Sequence, residues 1–329
     1  MSPILDAGAL SSWGRITWRG ETPSGTSLQL QTRSGNASEP TAAWSEWSPP
    51  YKKPEGEAIL SPGGRYLQFR ALFRKASGRL GPALRLVEAY YLQANAAPVV
   101  KKLEALPPNE VFIKPPETEE VILGSPHPSA GDKMGRTDIL ISLAKKTSRK
   151  GFRTLLWEAE DGNGDSLTYS LSVRRAGESG WKLLERDWKE AVFALDTVSL
   201  PDGVYDFKVV ASDKPSNPAG RELQGEKTSL PLTIDNTPPL FRDVTVSRDG
   251  TKLKVGFQAE DALSPLLEIK VLVRPLEWLT VFPVDGICDS MQEAFSFVLD
   301  LPAGSDDLLT VVALDAHGNS GVLRQSFPR

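Results

Sequence analysis

Asp161-Gly162-Asn163-Gly164-Asp165 places oxygen-bearing side chains at every second residue, and Asp213 ends a strand-like run that can return to the same end of a sheet. Carboxylate and amide oxygens so spaced are the ligands a calcium ion takes, roughly six to eight of them. The pattern is incomplete, because the positions where a calcium loop supplies its bidentate Glu hold Tyr169, Ser170, Leu171 and Ser172. The same five residues also make a tight hairpin turn, with Gly162 and Gly164 at positive φ and the Asx side chains capping amides. Both readings place a turn between two strands. Only the calcium reading requires Asp161, Asn163, Asp165 and Asp213 to converge.

A second group is aromatic. Trp13, Trp18, Trp44, Trp47 and Tyr51, with Tyr66, crowd the first hundred residues. An exposed coplanar pair would pack on the apolar face of a sugar ring, whereas in a small sandwich the same rings fill the core or its rim. Within this group Trp44-Ser45-Glu46-Trp47-Ser48 matches the WSxWS box of cytokine receptors, whose rings stack on arginines of a neighbouring strand. Arg33 or Arg70 is the candidate partner here. The context departs from that family, since the box ends a receptor domain and here strand-like runs at 66–74 and 84–92 still follow.

Catalytic patterns are missing. The two histidines, His127 and His317, lie in a Pro-rich stretch and a Gly-Asn turn, and no nucleophile elbow, zinc-protease helix, phosphate loop or dinucleotide fingerprint occurs. Acidic pairs such as Glu160-Asp161 are common among 42 carboxylates. Cys288, the single cysteine, reads as a small buried hydrophobe; it excludes disulfides within the chain and zinc sites built on several thiolates. No enzymatic activity is expected, and no cofactor beyond the candidate calcium. A net charge of −4 gives no footprint for nucleic acid or an anionic membrane, and no apolar run approaches the ~20 residues of a membrane span.

The elements that must carry these residues are strands. Alternation of period two marks Leu28-Leu30-Thr32, Leu67-Phe69-Ala71-Phe73, Leu167-Tyr169-Leu171-Val173, Tyr205-Phe207-Val209-Ala211, Leu253-Val255-Phe257-Ala259 and Leu267-Ile269-Val271-Val273. Turn residues punctuate them. Residues 155–161, Leu-Leu-Trp-Glu-Ala-Glu-Asp, return about a hundred residues later in 254–261, Lys-Val-Gly-Phe-Gln-Ala-Glu-Asp, and each copy is followed at similar distance by a second match ending in Asp213 or Asp315. That is an internal repeat of one domain type. Asp235-Asn236-Thr237-Pro238-Pro239 lies between the copies, its prolines stiffening the boundary. Residues 96–150 are looser, with Pro107-Pro108, Pro115-Pro116, Pro126 and Pro128, an acidic cluster at Glu117, Glu119 and Glu120, and apolar runs at 111–113 and 139–143; they read as a linker or a partly ordered loop.

The expected fold is all-β: three tandem antiparallel β-sandwiches, at 1–95 (jelly-roll-like), 96–236 with a Pro-rich opening, and 237–329. Residues 157–169, Trp-Glu-Ala-Glu-Asp-Gly-Asn-Gly-Asp-Ser-Leu-Thr-Tyr, resemble the early strands of fibronectin type III or cadherin-like domains of bacterial extracytoplasmic proteins. Residues 301–321, with Val311 to Asn319, resemble the closing strands of bacterial immunoglobulin-like domains. Residues 2–95, with Leu5-Asp6-Ala7-Gly8, Trp13-Gly14-Arg15-Ile16-Thr17-Trp18 and Thr32-Arg33-Ser34-Gly35-Asn36, are similar to a sandwich module that follows a β-propeller in large bacterial proteins. The resemblance implies a non-catalytic binding or spacer array, or else carbohydrate-binding modules appended to an enzyme. It also implies an extracytoplasmic location and other domains of a parent protein, a propeller among them, as partners. The start, Met1-Ser2-Pro3-Ile4-Leu5-Asp6, carries no basic region followed by an apolar one, so no signal peptide is expected there and the chain reads as a piece of something longer.

Overall fold

The computed structural model describes residues 1–75, 80–113, 144–274, 277–301 and 308–327. The acidic cluster Glu117, Glu119 and Glu120, the run 139–143 and His127 lie outside the described residues. The chain divides into two compact units: Met1–Ala96 with Gly162–Asp165 and Gly220–Leu223, and the rest.

The first unit holds five antiparallel strands in one sheet: β1 (Leu5–Glu21), β2 (Ser27–Gly35), β3 (Glu57–Ala58), β4 (Gly64–Arg74) and β5 (Ala83–Gln93). β1 is shared. Its opening residues, Leu5, Asp6 and Ser11, pair with β4, whereas Ser11 to Glu21 pair with β5, and register shifts between Asp6 and Ser11 and between Trp13 and Ile16 mark bends. The bent strand brings Ile16 and Trp18 of β1 into one cluster with Leu28 and Leu30 of β2, Leu67 of β4, Tyr51 and Ile59. Where a jelly-roll-like sandwich was expected, the described strands form one continuous five-stranded sheet folded over its own core. A 17-residue strand with two bends does the work of separate strands.

The second unit contains two sandwiches. In the first, β6 (Val99–Ala105), β9 (Phe152–Glu160) and β12 (Val192–Asp196) form one sheet in the order β12-β9-β6. The other is β11 (Lys182–Trp188), β10 (Thr168–Arg175), β13 (Gly203–Ser212) and β14 (Gln224–Thr228), with β15 (Leu232–Ile234) also on β13. A side pair, β7 (Glu110–Ile113) and β8 (Lys145–Ser148), completes it. Leu155, Trp157, Phe193 and Leu195 of one sheet pack on Leu171, Val173, Phe207 and Val209 of the other. The other, third in the chain after the first unit and the β6–β15 sandwich, repeats the order: β16 (Leu240–Asp249), β17 (Lys252–Glu260) and β20 (Gln292–Asp300) against β19 (Glu277–Val281), β18 (Leu266–Arg274), β21 (Leu308–Asp315) and β22 (Ser320–Ser326). Three strands facing four, in the order A-B-E against C′-C-F-G, is a fibronectin type III arrangement. The Tyr205 hydroxyl at the start of β13 donates to the Pro201 carbonyl at 2.6 Å, the tyrosine corner of such sandwiches.

Two local expectations change. Residues 99–105 are the first strand of a sandwich, not a linker; a register shift between Val100 and Lys102 hides their alternation. In β18 a shift between Leu266 and Glu268 puts Leu266 inside, 1% exposed, and leaves Leu267 at 58%. The alternating set there is Leu266, Ile269 and Val271.

Candidate functional site

Polar chemistry concentrates at the joint of the two sandwiches, between the end of β15 at Ile234 and the start of β16 at Leu240. Asp202, on the turn before β13, anchors the joint from the second-sandwich side: its Oδ1 accepts from the Asn236 N–H at 2.8 Å, and its Oδ2 accepts from the Thr237 hydroxyl. Desolvation pulls the Asp202 carboxyl up, but the bonds from Thr237 and Asn236 outweigh it and hold the group below the usual carboxylate range. The Thr197 hydroxyl donates to Asn236 Oδ1 at 2.8 Å.

From the third sandwich, the β17–β18 and β21–β22 turns reach the same place. Asp261 Oδ1 accepts from the amides of Leu263 (2.9 Å) and Ser264 (2.8 Å). Asp315 Oδ1 accepts from those of His317 and Asn319, each at 2.8 Å, and its Oδ2 from Asn319 Nδ2 at 2.9 Å. Asn319 Nδ2 also donates to the Asp235 carbonyl at 3.0 Å. His317 is the plug: its Nε2 lies 3.2 Å from the Thr233 carbonyl and 3.4 Å from an Arg153 guanidinium nitrogen, and its own carbonyl accepts from Asn109 Nδ2 at 2.6 Å. Asn109 holds φ +68°, a conformation Asn tolerates better than most residues. Gly318 beside it is at φ +80°, and a Cβ there would meet Asn109 Nδ2 at 2.6 Å. Arg153, 8% exposed, donates to the carbonyls of Leu106 (2.9 Å) and Thr233 (3.0 Å), and desolvation lowers its pKa.

The joint also gathers three acids. Asp235, Asp261 and Asp315 each offer a carboxylate oxygen within 4.8 Å of the other two. Asp235 is 5% exposed and Asp315 0%. At that separation each pair of charges repels by about 3 kcal/mol in an effective dielectric near 20. Desolvation raises the Asp235 pKa, and the neighbouring Asp261 and Asp315 add to the rise against hydrogen bonds from Ser264 and Thr237. The Ser264 hydroxyl donates to Asp235 Oδ2 and sits 2.7 Å from His317 Nδ1. These residue types suit nucleophilic catalysis, but the arrangement does not: the carboxylate holds the serine rather than the far side of the imidazole, and Ser264 is 0% exposed.

The acids singled out in the sequence lie at the β9–β10 turn and the end of β13. Asp161 and Asp213, both in the second unit, bring carboxylate oxygens within 4.8 Å of each other, and Asp165 belongs to the first unit. Asn163 turns elsewhere, its Oδ1 accepting from the Ala96 amide at 2.8 Å and its Nδ2 donating to the Ala94 carbonyl at 3.0 Å. Of the two glycines that the hairpin reading put at positive φ, Gly164 is there, at +76°, and Gly162 is not. Asp261 and Asp315 were legible as repeat partners of Asp161 and Asp213. Asp235 was visible only as part of a boundary; an acid just before two prolines at a joint between repeats is the signal that could have marked it.

The aromatic candidates for a sugar surface are largely spent inside the first unit. Trp18 (5%), Trp44 (7%) and Tyr51 (2%) are buried and offer no open face. Trp13 is half-buried, edge-on to Tyr91 at 5.8 Å. Trp47 lies between Arg33, at 4.7 Å from its ring, and Arg70, at 4.5 Å; Arg33 also covers Trp44 at 5.5 Å. Both of the alternative partners stack, not one. Ser45 and Ser48 bind the neighbouring strand, their hydroxyl oxygens accepting from the Ser34 and Thr32 amides at 3.0 Å. The box thus zips residues 44–48 onto the edge of β2.

No known family model matches the chain, and no curated protein does. Among solved structures, the chain is similar to the FN1–FN3 domains of chicken CNTN1, with 14% identity over 99% of this chain and 97% of that one, at a TM-score of 0.31. So low a score adds no weight to the strand order, which defines the fold by itself: an all-β array of tandem sandwiches, two of them fibronectin III-like.

Proposed function

We propose that the chain is a non-catalytic binding and spacer array from a larger exported bacterial protein, working outside the cytoplasm with its first module next to a partner domain such as a β-propeller. The carrying observation is the His317 plug. A third-sandwich side chain packs against Arg153 and Thr233 of the second sandwich while its carbonyl takes a bond from Asn109. Such a joint suits a part that holds others at a set distance. Calorimetry of the full chain tests it: the two fibronectin III-like sandwiches should unfold in one transition, and His317→Ala should split that transition in two. Independent melting of the two in the unmodified chain would count against a spacer.

One observation favours a second reading, a carbohydrate-binding module. An open cleft of about 660 Å³ in the first unit is bordered by Arg15, Arg19, Glu55, Glu88 and Tyr90, and Tyr90 is 53% exposed. Charged donors and acceptors beside an exposed ring suit a sugar. Affinity electrophoresis against soluble polysaccharides decides: retardation lost in Tyr90→Ala supports the cleft, and no retardation across the panel leaves the spacer reading.

A further inference from the structure

The structure points to a calcium site at the joint of the second and third sandwiches, formed by Asp235, Asp261 and Asp315. Their oxygens already lie within 4.8 Å of one another, the crowding found where several carboxylates share one cation. Asp261 Oδ2 is wholly buried and takes no hydrogen bond, although burying an ionised oxygen without a partner is costly. Asp315 is shut off from solvent completely and Asp235 almost so. No Lys or Arg among the described residues is ion-paired with any of the three; the nearby Arg153 spends its bonds on carbonyls and His317. Two buried carboxylates and a third, partly buried one whose Oδ2 is shut off from solvent need positive charge.

An all-oxygen set without thiolate selects a hard cation, and flexible carboxylates that bind with one oxygen or two suit calcium better than the strict octahedron of magnesium. The ion would tie the linker acid Asp235 to two turns of the third sandwich, stiffening the joint. This assignment stands on the carboxylates and holds whether or not the array is a spacer.

The test is calcium titration of the full chain by calorimetry after chelator treatment, with thermal unfolding in parallel. One ion should bind at the joint with Kd on the order of 10⁻⁴ M, as in extracellular modules. Calcium a hundredfold above Kd should raise the melting temperature by roughly 5–10 °C. Asp261→Asn keeps the acceptor for the Leu263 and Ser264 amides and removes only charge. In chelator it should melt at or above the parent; in calcium it should lose the rise and bind at least tenfold more weakly. Asp165→Asn removes a carboxylate outside the joint, so it should leave the joint ion in place even if Asp261→Asn failed to fold. Absence of heat and of any melting shift in 10 mM calcium, affinity unchanged in Asp261→Asn, or binding lost in Asp165→Asn would each overturn the assignment.

Discussion

Asn109 carries three loads that substitutions can separate. It sits at φ +68°, its Oδ1 accepts from the Gly151 amide at 2.9 Å, and its Nδ2 donates to the His317 carbonyl at 2.6 Å. Asn109→Ala removes both side-chain bonds, each worth about 1 kcal/mol, and places a Cβ-bearing residue without local compensation in the left-handed region, about 1 kcal/mol more. The total is about 3 kcal/mol, which for a unit of this size lowers the melting temperature by roughly 6–12 °C. Asn109→Gly keeps the backbone conformation and should recover about 1 kcal/mol of the loss. Asn109→Asp keeps the acceptor and loses only the donor to His317, so it should cost about 1–2 kcal/mol. Thermal and urea unfolding of the full chain read all three. If Gly is no better than Ala, the conformational argument fails; if Asp is silent, the bond across the joint contributes nothing.

Three further outcomes are expected. A Cβ on Gly321 would meet the Pro239 carbonyl oxygen at 2.0 Å and one on Gly225 the Pro98 oxygen at 1.8 Å, the same contact in both sandwiches, so each Gly→Ala should cost about 1–3 kcal/mol, while Gly180→Ala, with nothing within 4 Å, should be near neutral in the same melts. Arg33→Lys keeps charge but loses the planar stack over Trp44 and Trp47, and should lower the first unit's stability by about 1–2 kcal/mol with a shift in tryptophan emission; an unchanged spectrum would show the stack to be incidental. Desolvation first, then Glu293 and Asp289, push the Cys288 thiol up to about 11. Below that pH it stays protonated, so a chromogenic disulfide reagent at pH 8 should react about a hundredfold more slowly than with an ordinary thiol.

Much of the fold was legible because burial and alternation coincide. Tyr205, Phe207, Val209 and Ala211 alternate in sequence and are all buried, and the Ala-Glu-Asp repeat located corresponding strands in both sandwiches. Alternation failed where the backbone is irregular, at Val100–Lys102, at Leu266–Glu268 and along bent β1, because a bulge moves a side chain to the opposite face without changing its type. A stack on Arg33 or Arg70 was foreseen from one five-residue box, yet nothing local shows that Trp18 or Tyr51 faces inward. The joint was the hardest part to read. Asp235, Asp261 and Asp315 are far apart in sequence and meet only because the β17–β18 and β21–β22 turns share one pole of a sandwich with the linker that enters it.

The joint's stiffness is best measured as a distance. With Cys288 replaced by Ser, spin labels at Thr228→Cys and Ser247→Cys, exposed positions on β14 and β16, report the separation of the second and third sandwiches by pulsed dipolar spectroscopy on the full chain. A joint held by His317, Asn109 and Asn319 predicts a single narrow distance distribution that broadens in His317→Ala. A broad distribution in the parent, unchanged by that substitution, would contradict the account.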